Sequence, residues 1–318
     1  MPTVSAPPAA LKALMHQLVD YAGLFPPAKL TMDKAVETFA RHRAGPHAWG
    51  LARFITPMSK LTEFDTASRG YLATTPSDDD APPDPWCVAV LIDGNLQQNL
   101  DIIEKFNAAH GASNGSSHKH AHSALIDTLE IKVSTPDVIE DCIELLPEHL
   151  FPFFEIPADA DFRGFAAALA GTGFGAKLRL GGITPEAFPT VDRVADFLHA
   201  FDAAEVPFKA TAGLHHPLRA SYPLTYEPDC ACGTMHGFLN LFMAAVMLHT
   251  HGADRATTVK ILSETNADVF SFSEVEATWR DLRAGTRQIQ EARESFAICF
   301  GSCSFDDPIN DLTKLGWL

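Results

Sequence analysis

The chain has 318 residues, with 24 Lys and Arg against 40 Asp and Glu, a formal charge of −16. At 46% apolar and 20% charged it has enough apolar surface to offset chain entropy, which excludes a disordered chain. The acid surplus excludes nucleic-acid binding through a general basic surface, because phosphates would meet a repulsive field.

No run of about 18 or more apolar residues occurs, so no membrane span is expected. The longest apolar stretch, 238–248, is interrupted by Asn240. Residues 1–10 lack the basic and apolar regions of a secretory signal. Cys87, Cys142, Cys230, Cys232, Cys299 and Cys303 are scattered and do not resemble a disulfide framework. A cytoplasmic protein with reduced thiols is the expectation.

In chain order, short apolar runs alternate with helical patterns. Residues 18–25 (LVDYAGLF) precede a helix at 31–44, 50–56 (GLARFIT) precede 60–69, and 87–93 (CVAVLID) precede 96–110. Residues 128–133 (TLEIKV) precede 136–146, 150–156 (LFPFFEI) precede 161–170, and 176–180 (AKLRL) precede 185–204, with Thr184 as cap. Residues 207–212 (PFKATA) precede 236–251 after a long loop, and 269–273 (VFSFS) precede 274–293. Strands separated by helices pair in parallel. Eight such units predict a single (β/α)8 TIM-type barrel over 1–318, with long loops. A doubly wound sheet competes, but no Gly-rich phosphate loop follows the first strand. The register stays open, because 297–302 (AICFGS) also has strand character and would displace 18–25 to an N-terminal extension. Residues 74–85 and 111–123 are polar surface insertions, the latter carrying His118, His120 and His122, and 214–235 is a lid-like loop.

Parallel strands buried on both faces should be apolar, yet several of these carry charge. Arg53, Lys132, Lys177, Arg179 and Lys209 stand against Glu130 and Glu155. Side chains two apart share a face. The pairs Glu130 with Lys132, Lys177 with Arg179, and Lys209 with Thr211 therefore converge at the C-terminal mouth if they point inward. Five cations against two carboxylates predict a site for a small anionic substrate, a carboxylate, phosphate or enolate. An internal salt-bridge network is the alternative.

Residues 206–217 (VPFKATAGLHHP) concentrate further chemistry. A Lys at a strand end is a candidate Schiff-base nucleophile, since neighbouring cations favour the neutral amine. Thr211 can hydrogen-bond a carbinolamine, and Gly213 lets the backbone approach a ligand. His215 and His216 are candidates for proton transfer or binding. His236 opens an apolar helix whose N-terminus suits an anion. Asp20 is a candidate base or a partner for Arg53, whereas Asp93 suits a turn. Cys230 and Cys232 are too closely spaced for the usual structural zinc pattern even with His236, so no metal is expected.

FKATAG is similar to the strand end around the reactive lysine of class I aldolases of the deoxyribose-phosphate aldolase type. AKLRLGG, FFEIP and LEIK are similar to neighbouring strands, over residues 125–215 in all. The resemblance implies a (β/α)8 barrel and a carbon–carbon lyase; by its local motif Lys209 is the expected reactive lysine, with Lys177 as its pKa-lowering neighbour, whereas strand order would swap the two. It implies no cofactor. AKLRLGG lacks the Ser/Thr-Gly continuation, and no Gly-rich phosphate loop follows 269–273, so the alternatives are a non-covalent isomerase, a metal-assisted hydrolase or a non-catalytic scaffold. The sequence leaves homo-oligomerisation open.

Overall fold

Each parallel pair of strands requires a long crossover, and helices supply it on six successive occasions. The computed structural model describes residues 6–72, 85–110 and 124–318. After a helix at Ala9–Met15 come β1 (Val19–Tyr21), β2 (Leu51–Pro57), β3 (Trp86–Leu91), β4 (Ala124–Lys132), β5 (Phe151–Ile156), β6 (Gly175–Arg179) and β7 (Phe208–Thr211). Helices Met32–Arg43, Leu61–Leu72, Leu96–His110, Pro136–Ile143, Phe162–Leu169 and Val191–Ala203 join them in turn. The chain then makes an excursion. A hairpin, β8 (Ala220–Pro223) and β9 (Cys232–Met235), leads to helices Phe238–His251 and Arg255–Ser263. A three-stranded antiparallel sheet follows, β10 (Phe270–Phe272), β11 (Glu276–Trp279) and β12 (Leu282–Gly285). Helix Thr286–Ser295 brings the chain back to β13 (Ala297–Ser302), and helix Asp306–Lys314 ends it. The parallel strands close into an eight-stranded barrel in the order β1-β13-β7-β6-β5-β4-β3-β2, the (β/α)8 architecture expected.

The closure differs from both registers weighed from sequence. Residues 269–273 contribute β10 to the outer sheet, while 18–25 and 297–302 both enter the barrel, as β1 and β13. Burial explains the exchange. β13 is almost continuously buried, as a barrel strand must be, whereas β10 exposes its middle residue. The helix expected at 274–293 forms only from Thr286, because 274–285 belongs to the outer sheet. The helix expected at 185–204 begins at Val191, capped by the Thr190 side chain rather than by Thr184. Pro189 lacks an N–H and cannot continue the short turn at Pro185–Ala187 into a helix. The loop at 214–235 contains the β8–β9 hairpin. Residues 74–84 and 111–123, including His118, His120 and His122, lie outside the described residues.

Outward faces of the strands pack on the helices. Tyr21 and Phe54 meet Phe39, and Phe208 and Phe300 meet Phe242. Helix Phe238–His251 is buried from Phe238 to Leu248, which accounts for its apolar character on every side. Inside, Gly175 leaves room for Phe153, whose ring a Cβ there would approach to 2.5 Å. Above this layer the strand ends are free to carry charge. Among the described residues no helix is long and apolar enough to cross a membrane.

Candidate active site

Strand phase decides which side chains meet. Lys177 and Lys209 are register partners on β6 and β7, and Glu155 is the partner of Lys177 from β5. Asp20 on β1 and Glu130 on β4 reach the same interior. The result is a ladder of alternating sign. Lys209 Nζ pairs with Asp20 Oδ2 and lies 2.6 Å from Glu130 Oε1. Lys177 Nζ lies 2.6 Å from Glu130 Oε2 and 2.6 Å from Glu155 Oε2, and Arg179 Nε lies 3.8 Å from Glu155 Oε1. Asp20, Glu130, Lys177 and Lys209 are all buried. Such charges are tolerated only when paired, and each one here is.

The electrostatics follow from that order. Burial raises the pKa of Glu130, but Lys177 and Lys209 outweigh it and hold the carboxyl down at about 2. Burial would push Lys209 down, but Asp20 and Glu130 push it well up. The expectation that neighbouring cations make Lys209 the neutral nucleophile is thus reversed, because carboxylates and not cations touch it. Burial, with Asp20 alongside, pushes Cys299 up to about 12, which makes it an inert neighbour whose thiol donates to Asp20 at 3.3 Å.

A cavity of about 530 Å³ opens at the C-terminal mouth of the barrel. Lys177, Glu155, Glu130 and Thr211 form part of its floor and wall, with Lys132 and Arg179 also lining it. Lys209 does not line it and is fully buried beneath. Of the two lysines, Lys177 is the one that lines the cavity, with its side chain 3% exposed. Lys132 makes no ion pair among the described residues, and Arg179 is half exposed.

The remaining sequence-derived residues divide. Gly213 lines the cavity at φ +69°, and its missing Cβ also admits the Phe188 ring and the Gly181 backbone. His215 and His216 both line the cavity, on separate carboxylates. His215 Nδ1 donates to Asp307 at 3.2 Å, while His216 Nδ1 lies 2.6 Å from Asp311 and its ring stacks on Tyr222. Arg53 does not join the mouth. Its guanidinium grips Asp127 through two hydrogen bonds of 2.8 Å, and its backbone N–H donates to Asp20. His236 does not line the cavity either. Its Nε2–H donates to the Pro189 carbonyl at 2.8 Å, and burial pushes its pKa down to about 4, so the ring is neutral. Its N-terminal helix position is therefore no cationic anion site. Cys230 donates to the Thr225 carbonyl and Cys232 is exposed. Among the described residues no group of three or more His, Cys, Asp or Glu is gathered as metal ligands would be.

Counting only Glu130 and Glu155 against five cations overstated the positive charge. Asp20 and Asp127 also pair with members of that set. Among the described residues that leaves Lys132 and Arg179 as the cavity-lining cations least neutralised by carboxylates. Sequence reasoning also missed three residues that line the cavity: Cys303 and Asp307, which meet His215, and Tyr226, which meets both of them. A Cys one residue past a barrel strand was the available signal, hidden while 269–273 held the place of the last strand.

No family model, curated protein or solved structure matches this chain.

Proposed function

We propose that this barrel is a class I aldolase-like lyase that cleaves or forms a carbon–carbon bond in a small anionic carbonyl compound, through an imine on Lys177. The observation that carries the reading is Lys177 in the cavity lining, its amine 2.6 Å from Glu155, with Lys209 buried on the adjacent strand. Adjacent lysines on consecutive barrel strands fit what the aldolase resemblance implies, with Lys177 rather than Lys209 as the nucleophile. The six free cysteines fit a reducing compartment, the cytoplasm.

Lys132 and Arg179 take the anionic end of the substrate. Lys177 passes a proton to Glu155 and its nitrogen lone pair adds to the carbonyl carbon, giving a carbinolamine. Glu155 returns the proton to the departing oxygen, which leaves as water, and an iminium remains. Ionised Glu155 takes the proton of the β-hydroxyl as the carbon–carbon bond breaks toward the iminium, so that an aldehyde departs and an enamine remains; return of that proton to the enamine carbon gives an iminium, whose hydrolysis frees Lys177. Thr211, also on the cavity wall, is placed to hydrogen-bond the carbinolamine oxygen. Glu130, held ionised, and Lys209 below it keep the floor of the site fixed.

Borohydride reduction with pyruvate and with acetaldehyde tests this. The expected product is one reduced adduct mapped to Lys177 and lost in Lys177→Ala. Ligand-induced thermal stabilisation without any adduct would overturn the imine and favour non-covalent proton transfer by Glu155, the chemistry of an isomerase.

A further inference from the structure

We propose that Cys303, His215 and Asp307 form a second nucleophilic centre in the same cavity, a thiol that accepts an acyl group from a small thioester or activated ester. The inference does not depend on an imine at Lys177.

The residues come from two neighbouring strand ends. His215 follows β7, and Cys303 follows β13, which lies beside β7 in the barrel. Cys303 shares the inward phase of Cys299 and Gly301, so its Sγ reaches the cavity wall. His215 Nε2 lies 3.9 Å from Cys303 Sγ, and Nδ1 donates to Asp307 Oδ2 at 3.2 Å. Tyr226, from the turn between β8 and β9, donates its hydroxyl to the same Asp307 oxygen at 2.8 Å and lies 3.9 Å from Sγ. Thiol, imidazole and carboxylate thus stand in the order that activates a nucleophile, with the carboxylate fixing the ring.

Electrostatics favour the same role. Burial lowers the pKa of His215, but Asp307 and Cys303 raise it further, to about 9, so the ring carries a proton at neutral pH. A protonated ring beside the sulfur sets a proton donor where a leaving group would depart. Cys303 also precedes the helix Asp306–Lys314, whose N-terminal N–H groups add positive potential.

The step balances without a further reagent. The sulfur adds to the carbonyl carbon and the π pair moves to oxygen. When the carbonyl reforms, the bond to the leaving thiolate or phenolate breaks, and that group takes the proton from His215 Nε2. Neutral His215 then draws a proton from water, whose oxygen attacks the thioester. The free acid departs, and the sulfur and the ring return to their starting protonation.

The test uses the full chain with p-nitrophenyl acetate and with an acetyl thioester of a small thiol, followed by acid quench and peptide mapping. The expected result is acetyl on Cys303, formed roughly a hundredfold faster than on exposed Cys232 in the same molecules, with a slowing of similar size in His215→Asn. Cys232→Ser should leave the Cys303 rate unchanged. A readout within one molecule covers variants that fail to fold, since the Cys303 advantage over Cys232 must vanish in urea-unfolded wild type. Equal labelling of the two thiols in the native protein, or a folded His215→Asn variant that labels Cys303 as fast as wild type, would overturn the proposal.

Discussion

Glu130→Gln removes the one carboxylate among the described residues that touches both buried lysines. The substitution keeps shape and leaves two ammonium groups with a neutral amide between them. Lys177 retains Glu155, and Lys209 retains Asp20. The magnitude can be worked from the depression of the Glu130 pKa, from 4.5 to about 2. At about 1.4 kcal/mol per unit, that shift corresponds to about 3 kcal/mol of favourable interaction with the ionised form. Breaking a buried pair by removing one partner typically costs about 3–5 kcal/mol, in the same range. A folded-state pKa lying below the unfolded value gives stability that is present above pH 4.5 and lost as pH falls toward about 2. Urea unfolding of wild type and Glu130→Gln at pH 7 measures the difference, and it should shrink as the pH is lowered through that window. Adding Lys209→Met to Glu130→Gln should cost less than the two single losses together, because each single variant already forfeits the shared Glu130–Lys209 pair, although Asp20 then loses its ammonium partner. A loss below about 1 kcal/mol at pH 7 would refute the ladder as a coupled unit, as would a double variant whose cost is the sum of the single ones.

Two further outcomes follow from the cavity rim. His215, raised to about 9 beside Asp307, Cys303 and Tyr226, contributes stability that is full below pH 6.5 and lost as pH rises through about 9. Wild type should lose up to about 3 kcal/mol of unfolding free energy between pH 6 and pH 9.5 from this group, and His215→Gln should show a flatter profile there. Gly213→Ala places a Cβ at φ +69° and 2.7 Å from the Phe188 ring, so denaturant unfolding should show a loss of about 1–3 kcal/mol, whereas an unchanged midpoint would mean that this segment moves freely.

Much of the architecture was legible in the chain because a helix between successive strands permits only parallel pairing, and period-two phase places alternate residues on one face. That reasoning located the strands that became β1 to β7 and brought Lys177, Lys209, Glu130 and Glu155 to one end of the barrel. It failed where local pattern carries no information. A five-residue apolar run at 269–273 and a six-residue one at 297–302 look alike in sequence, and only closure of the barrel put the second between β1 and β7. The charge balance failed for the same reason. Asp20 meets Lys209 across 189 positions, and Asp127 meets Arg53 across 74, so the surplus of cations counted along the strands was largely neutralised. Cys303 and His215, 88 positions apart, became neighbours through the pairing of β13 with β7. Helical crossovers and alternating strand phase, written locally in the amino acids, determined the barrel and which lysines enter it. Which lysine reaches the cavity, which carboxylates neutralise it and which thiol joins a histidine are contacts between distant strands, and those were decided only when the sheet closed on itself.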